Sequence, residues 1–212
     1  MPTPHYFALY FNAIRLSMEL AKEQLTRFLQ STGFINSQQA KEIADEFAHK
    51  EISKNTFQLQ TGKICDEYLF LSHGFMRAYA HNTDGNDVTT GFYATGQVVF
   101  EVASFFNRTP SQESIQALTD CTGWSITHHQ LNALFHTRPE FREFGRSMLV
   151  RGYAALKARM LAVITETAAT RYEGLVRAHP EIGQHAPLKH IASYLGITDT
   201  SLSRIRKGEP RK

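Results

Sequence analysis

Residues 187–207 read PLKHIASYLGITDTSLSRIRK, and this stretch decides how the chain is interpreted. Ile191 and Leu195 lie four positions apart, and Leu202 and Ile205 lie three apart. Each pair therefore forms one apolar stripe along a short helix. The pattern predicts two helices that share a core, which is the arrangement of a helix-turn-helix.

Small and polar residues support this interpretation. Ala192 allows a second helix to cross closely, and Gly196 stands where the first helix must end in a left-handed residue. Thr198 is a good N-cap for the second helix, Asp199 complements its dipole, and Pro187 is tolerated at the first turn of the preceding helix. The alternative is an ordinary helical hairpin.

The second helix, from about Asp199 to Lys207, is predicted to read DNA. Thr200, Ser201 and Arg204 are the candidates for base contacts, because Arg suits guanine and hydroxyl groups make adaptable contacts. The candidates for phosphate contacts are Lys189, His190, Arg206 and Lys207. The complete set of DNA-binding candidates consists of Lys189, Thr198, Thr200, Ser201, Ser203, Arg204, Arg206 and Lys207. For each of them, a solvated surface side chain is the alternative.

Charge and cysteine content agree with a DNA-binding protein without deciding the matter. The net charge is only +3, but residues 171–212 hold eight Lys or Arg and four Asp or Glu. A local excess of this kind suits binding to a polyanion. Cys65 and Cys121 form no close-spaced pair, so neither a disulfide framework nor a zinc or four-Cys cluster is indicated. We expect two buried thiols in a reducing cytoplasm.

The N-terminal region is predicted to contain helices. Residues 1–17 are interpreted as a disordered extension or an upstream start, and the apolar segment Tyr6 to Leu16 is too short to span a bilayer. No export signal or transmembrane helix is expected after it. A helical pattern opens at Met18, and a second helix is predicted from Ser37, as its cap, to His49.

Residues 51–127 have the sequence pattern of an antiparallel β-structure. Short aromatic or β-branched runs, such as residues 67–71, 75–79 and 88–93, recur about every ten residues. Turn signals separate them, and Asp84-Gly85 is the clearest hairpin turn. A sandwich or barrel is therefore expected.

A long helix is predicted from Pro139 to about Glu166. Its apolar residues recur at spacings of four, three, four and three, the pattern of a two-helix coiled coil. These residues are Leu149, Tyr153, Leu156, Met160 and Val163. The pattern predicts a homodimer, in which two recognition helices would meet a pseudo-palindromic DNA site. A helix packed only against its own domain is the alternative.

The order of these elements resembles the CRP/FNR family of transcription regulators. The most specific stretches are residues 62–65, Asp84-Gly85, residues 96–99 and residues 187–198. The resemblance implies an α+β fold with a jelly-roll-like antiparallel β-roll and flanking helices, a long dimerisation helix and a C-terminal helix-turn-helix. It implies a sensor domain over residues 18–138, a dimerisation helix over 139–166 and a DNA-binding domain over 167–212. Its implied partners are double-stranded DNA, a second copy of the chain and RNA polymerase, with no membrane.

The resemblance also locates an effector pocket, at Phe100, Glu101, Val102, Glu113 and Ser114. In cAMP-binding members a Gly-Glu pair and a later Arg-Ser pair neutralise the phosphate. Here Phe100 replaces the Gly and Glu113 replaces the Arg, and a carboxylate cannot bind a phosphodiester. We therefore expect no cofactor and no cAMP, with either another effector or none. Residues 208–212 are also too few for the β-hairpin wing that commonly follows the recognition helix in the family.

Two other classes of protein are alternatives to a transcription regulator. A β-roll with ten His residues suits a cupin-like metal enzyme, but His128 and His129 are adjacent and would point to opposite faces of a strand. His73 and His81 lack a nearby acidic partner at alternating spacing. We therefore predict no enzyme and no metal site. A ligand-binding or interaction module of the same fold, without DNA regulation, remains the alternative.

Overall fold

The computed structural model describes residues 19–208, which form two packed β-sheets and nine helices. Residues 19–30 are helical and are called α1. The other helices are α2 (Ser37–Asp45), α3 (Val102–Asn107), α4 (His128–Thr137), α5 (Pro139–Thr165), α6 (Ala168–Ala178), α7 (Ile182–His185), α8 (Leu188–Leu195) and α9 (Asp199–Lys207). The predicted extension, residues 1–17, lies outside the described residues, as do residues 209–212 of the predicted short tail.

Eight strands lie between α2 and α4. They are β1 (Ala48–Ile52), β2 (Phe57–Leu59), β3 (Glu67–His73), β4 (Phe75–His81), β5 (Asp87–Ala94), β6 (Val98–Val99), β7 (Ser114–Ala117) and β8 (Cys121–Thr127). One sheet has the order β1-β8-β3-β6 and the other β2-β7-β4-β5. All strand pairs are antiparallel, so the predicted α+β fold with a β-roll is confirmed.

The turn signals of the sequence mark the ends of these strands. Gly62, Gly74, Gly85 and Gly96 all have positive φ angles. At Gly74, between β3 and β4, a Cβ atom would also lie 2.7 Å from the Asp120 carbonyl oxygen. Glycine is required there for both backbone conformation and space.

The predicted helix from Ser37 to His49 does begin at Ser37, but its predicted cap and its predicted C-terminal end are wrong. The N-cap is Asn36, which forms a capping box with Gln39, and the helix ends at Asp45. Residues 48–52 instead form β1, which pairs along its whole length with β8. Long-range pairing with a buried strand therefore overrides the local helical pattern.

Two cores hold the chain together. The larger one joins α1, α2 and the start of α5 to the interior of the β-roll, with Leu29, Phe70 and Phe144 among its buried residues. The second core joins the C-terminal helices to β4 and β5, where Phe75 and Phe92 pack with the apolar residues of α6 to α9. The C-terminal helices therefore rest on the β-roll of the same chain. Within residues 19–208, no helix combines the length and hydropathy needed to cross a membrane.

Candidate nucleic-acid interface and ligand pocket

Helices α8 and α9 form the predicted helix pair. Ile191, Leu195 and Leu202 are buried between the helices and the β-roll, and Leu202 is completely inaccessible to solvent. Gly196 ends α8 in the left-handed conformation with φ 68°, and its N–H donates back to the last turn of that helix. This residue turns the chain sharply enough for α9 to begin at Asp199.

The start of α9 is fixed by Thr198. Its hydroxyl accepts a hydrogen bond from the Ser201 amide at 3.2 Å and lies 3.0 Å from the Ser201 hydroxyl. Arg171 of α6 secures the neighbouring helix end, because its guanidinium donates to the Leu195 carbonyl at 2.9 Å and to the Glu166 carbonyl at 2.8 Å. Sequence reasoning missed Arg171, which shows no periodicity that could have revealed this role.

The outer face of this helix pair is polar and cationic. Thr200, Arg204, Arg206 and Lys207 are exposed, as is Lys189 at the start of α8, whereas Ser201 and Ser203 are half-buried. Within residues 19–208, none of Lys189, Arg204, Arg206 and Lys207 forms an ion pair. The structure therefore leaves these four cations exposed and without an ion partner within the described residues. His190, also predicted to contact phosphate, is the exception, because its ring faces Arg77 of β4 rather than this surface.

The predicted dimerisation residues form an uncovered stripe on α5. Only Phe141, Phe144 and Gly145 of this helix are buried, all near its start. Leu149, Tyr153, Leu156, Met160 and Val163 are between 47% and 70% exposed. Large apolar side chains at this density are unusual on the free surface of a protein.

Two of the predicted effector residues, Phe100 and Glu101, lie immediately before α3. Phe100 packs in an aromatic cluster with Tyr68, Phe105 and Phe106, at ring-centre distances of 5.0 to 6.1 Å. Glu101 is the N-cap of α3, and its carboxylate accepts the Ala103 amide at 3.0 Å and the Ser104 amide at 2.7 Å.

The other three residues of this set do not converge on an anion site. Val102 is exposed. The Ser114 hydroxyl is bonded to Thr61 at 3.0 Å, and burial, followed by the charge of Glu101, raises the pKa of Glu113.

These donors do not fit a cyclic phosphodiester. The backbone amides at the start of α3 are already bonded to Glu101, and Glu113 adds a second acid nearby. The neighbouring guanidinium groups are also engaged. Arg108 donates to the Cys65 carbonyl at 3.0 Å and to Asp66 at 2.6 Å, and Arg159 donates to the Thr90 carbonyl. Among residues 19–208, these two guanidinium groups near the pocket are therefore already held by other acceptors.

The residues considered for a metal enzyme lie apart. His128 and His129 open helix α4, after the predicted β region, and the His128 ring packs 5.1 Å from that of Phe105. Among the described residues, no three His, Cys, Asp or Glu side chains converge as metal ligands. Both cysteines are free and buried.

Comparisons with known proteins agree with this geometry. Residues 49–138 match the model of the cyclic nucleotide-binding domain family. FixK2 from Bradyrhizobium japonicum has 15% identity and a TM-score of 0.66, over 76% of this chain and 83% of its own. A structure from Eubacterium rectale, described as a transcriptional regulator of the CRP/FNR family, has 14% identity and a TM-score of 0.64, over 86% and 87% of the two chains.

A third similar structure is CLP from Xanthomonas campestris, described as a c-di-GMP-responsive global regulator. It has 14% identity and a TM-score of 0.59, over 77% of this chain and 86% of its own. A comparison with curated proteins finds no significant match. The β-roll region therefore matches the cyclic nucleotide-binding domain family, and the described residues have the fold of the similar CRP/FNR regulators, as the sequence predicted.

Proposed function

We propose that this protein is a DNA-binding transcription regulator that acts as a homodimer in the cytoplasm. The observation that carries the proposal is the set of exposed cations on α8 and α9, which form no ion pair within residues 19–208 and belong to a helix pair with the turn and caps of a helix-turn-helix. Phosphate groups bind such cations by releasing counterions, and base edges are read by side chains from the first turns of the second helix.

Within this face the residues have different roles. Thr200, Ser201 and Arg204 lie in the first two turns of α9 and are assigned to base contacts. Lys189, Arg206 and Lys207 are assigned to phosphate contacts, which position the protein without reading sequence. Thr198 acts mainly through its cap, because its hydroxyl is bonded to Ser201.

The dimer is supported by the uncovered stripe of α5. Burying a leucine-sized side chain contributes about 1.5–3 kcal/mol, so five such residues from each of two chains are enough for a stable association. Five of the eight exposed large apolar residues of α5 occur at the spacing of a coiled-coil seam, which favours a second copy of the same helix as the partner, whereas Val150, Leu161 and Ile164 lie outside the seam. A regulator of this design would then contact RNA polymerase from a promoter site.

The effector is proposed not to be cAMP. Glu101 and Glu113 place two acids where a phosphodiester would need cations, and Phe100 is packed among aromatic rings at the same point. CLP, one of the similar structures, is described as responsive to c-di-GMP, so this fold serves regulators with other effectors.

The test is a fluorescence-anisotropy titration against a randomised duplex pool and the binders selected from it, at two salt concentrations, with and without cAMP. We expect salt-sensitive and sequence-selective binding that cAMP does not change. Binding that appears only with cAMP would contradict the interpretation of Phe100 and Glu113. Absence of binding in every condition would favour an interaction module that does not regulate DNA.

Dimerisation is tested separately by sedimentation equilibrium. Leu156→Glu places a charge at the centre of the stripe and should convert the protein to a monomer at micromolar concentration. Lys157→Glu, one residue away from the stripe and exposed, is the matched control and should remain dimeric.

A further inference from the structure

The helix pair and the β-roll meet along the edge strand β5. This strand is the last in its sheet, so its outward amide and carbonyl groups need partners from elsewhere. Helix α8 covers it: the Tyr194 ring lies 5.3 Å from that of Phe92. Apolar contacts thus bring α8 to the sheet, but a polar cluster lies beside them.

The centre of this cluster is Arg77 of β4, which is only 1% exposed. Its Nε donates to the Thr89 hydroxyl at 2.9 Å, and its Nη1 donates to Asp87 at 3.2 Å. The same Nη1 lies 3.4 Å from Nε2 of His190 on α8. A buried guanidinium cannot turn to water, so it depends on these partners.

A second polar contact joins the same elements. The Thr89 amide of β5 donates to the Ser193 hydroxyl of α8 at 3.1 Å, and the two hydroxyl oxygens are 2.8 Å apart. Ser193 in turn donates to the His190 carbonyl at 3.1 Å. One turn of α8 therefore supplies both His190, the partner of Arg77, and Ser193, the partner of Thr89.

The contact between Arg77 and His190 requires a neutral imidazole. Arginine is only a donor, so Nε2 of His190 must offer its lone pair and the ring proton must sit on Nδ1. Protonation of Nε2 removes the acceptor and places two cations in contact inside the interface. Release of the helix pair from the β-roll is then favoured, because water can solvate the charged His190 ring in the released form.

We propose that Arg77, Thr89, His190 and Ser193 form a pH-sensitive latch, which holds α8 and α9 against the β-roll and opens when His190 is protonated. The latch positions the recognition helix without covering it, since the cationic face stays exposed while α8 is docked. It also links to α5, because Arg159 of that helix stacks over Tyr194 at 4.0 Å and donates to the Thr90 carbonyl of β5.

The charges around His190 support the direction of this switch. Burial, then the cations Arg77 and Lys189, lower the pKa of His190 from 6.5 to about 4, while Asp87 and Asp199 oppose the shift less strongly. His81 also faces Asp87, at 3.2 Å. Well above pH 6.5 the His190 ring is neutral in both the docked and the released form, so the docking equilibrium does not depend on pH there. As the pH falls from 6.5 towards 4, the released form takes up a proton that the docked form excludes, so docking weakens by up to about tenfold per pH unit.

Hydrogen exchange of the Thr89 amide tests the latch directly, because its acceptor is the Ser193 hydroxyl on the opposite side of the interface. After correction for the intrinsic rate, protection of Thr89 should fall by up to about tenfold per pH unit below pH 6.5. Protection of Leu69, in the centre of β3, serves as the internal reference for global unfolding. An NMR titration of the His190 ring in the same samples should give a midpoint well below 6.5.

Three variants separate the latch from other titrations. His190→Gln keeps an acceptor but does not titrate, so Thr89 protection should lose its pH dependence. Ser193→Ala should lower the protection at every pH and keep the slope, and His81→Asn should keep the wild-type fall. The proposal is overturned by Thr89 protection that stays constant relative to Leu69 down to pH 5, by a fall that persists in His190→Gln, or by one that disappears in His81→Asn. None of these readouts requires DNA binding.

Discussion

Helices α3 and α9 are both short, both begin at a side-chain cap, and each stands where the fold would meet a phosphate. At α3 the cap is a carboxylate, since Glu101 accepts two backbone amides. At α9 the cap is the neutral hydroxyl of Thr198, and the cations Arg204, Arg206 and Lys207 follow without ion pairs among residues 19–208. The same type of element thus has an acidic cap in one domain, and a neutral cap followed by cations in the other.

The difference shows that an anion site depends on unsatisfied donors, more than on the presence of a helix end. A carboxylate cap bonds the amides and also cancels the positive end of the helix dipole. At α9 the hydroxyl cap adds no charge, but Asp199 in the first turn complements the helix dipole, so the cations Arg204, Arg206 and Lys207, rather than the helix end, are the groups proposed to meet phosphate. The proposed regulator would therefore bind phosphates through the cations of α9 and would not bind them at α3.

The largest effect is expected from Leu202→Ala. Leu202 is completely buried and anchors α9 against α8, so the substitution should lower the free energy of unfolding by about 2–5 kcal/mol. Denaturant titration followed by circular dichroism measures this loss, and Thr200→Ala on the exposed face should cost less than about 0.5 kcal/mol. Equal losses in the two variants would mean that α9 is not anchored as described.

Arg204 and Lys207 of α9 are expected to contribute to DNA binding in different ways. Arg204→Ala should weaken binding at the preferred DNA site by about 1–3 kcal/mol and relax specificity there. Lys207→Ala should weaken binding to all sequences and reduce the slope of log K against log salt by about one. Anisotropy titrations on selected and random duplexes distinguish the two. If both variants lose the same affinity on both DNAs, the assignment of Arg204 to a base contact fails.

At α3 the expected effect of removing the cap is smaller. Glu101→Ala leaves the Ala103 and Ser104 amides without their side-chain acceptor and should destabilise the β-roll by about 0.5–2 kcal/mol. Val102→Ala, at the exposed next position, is the control for a change in the same turn. Calorimetric titration of Glu101→Ala with cAMP should still show no binding, because Phe100 and Glu113 remain. Uptake of cAMP by this variant would show that Glu101 alone closes the site.

Local sequence signals predicted most of the fold. The glycine turns and the apolar runs gave β3, β4 and β5, and the caps and stripes of residues 187–207 gave α8 and α9. They failed at residues 46–49, where a helical pattern continues but pairing between β1 and β8 decides the structure. The paired residues of β1 and β8 lie between 69 positions (Ile52 and Cys121) and 77 positions (Ala48 and Ser125) apart, so this pairing leaves no local pattern around β1.

The candidate site was predicted in composition but not in orientation. The residue types at Phe100, Glu101 and Glu113 indicated a pocket unsuited to phosphate, yet nothing in the sequence shows that Glu101 caps α3. His190 was predicted to contact phosphate, and the structure turns it onto Arg77 instead. Arg77 itself carried a usable signal, since an arginine within the apolar strand Phe75–His81 requires buried partners.

The smallest expected effect comes from Glu113, and measuring it tests the acidic pocket most specifically. Burial is the main cause that raises the pKa of Glu113 in the folded protein; a hydrogen bond with Thr90 opposes it, the charge of Glu101 raises the pKa further, and Arg159 opposes it least. The folded state therefore holds a proton on Glu113 at a pH where the unfolded chain has lost it, and stability from this group falls as the pH rises through that range.

Glu113→Gln removes the buried charge and should therefore be more stable than the wild type at pH 7. The gain should disappear below pH 4.5, where the carboxyl is protonated in both the folded and unfolded states. Thermal unfolding at a series of pH values measures it, and Glu51→Gln on the exposed part of β1 is the matched control. A gain that grows on acidification, or an equal gain at Glu51, would mean that Glu113 is not held in an unfavourable charged state. The acidic barrier to a phosphodiester would then rest on Glu101 alone.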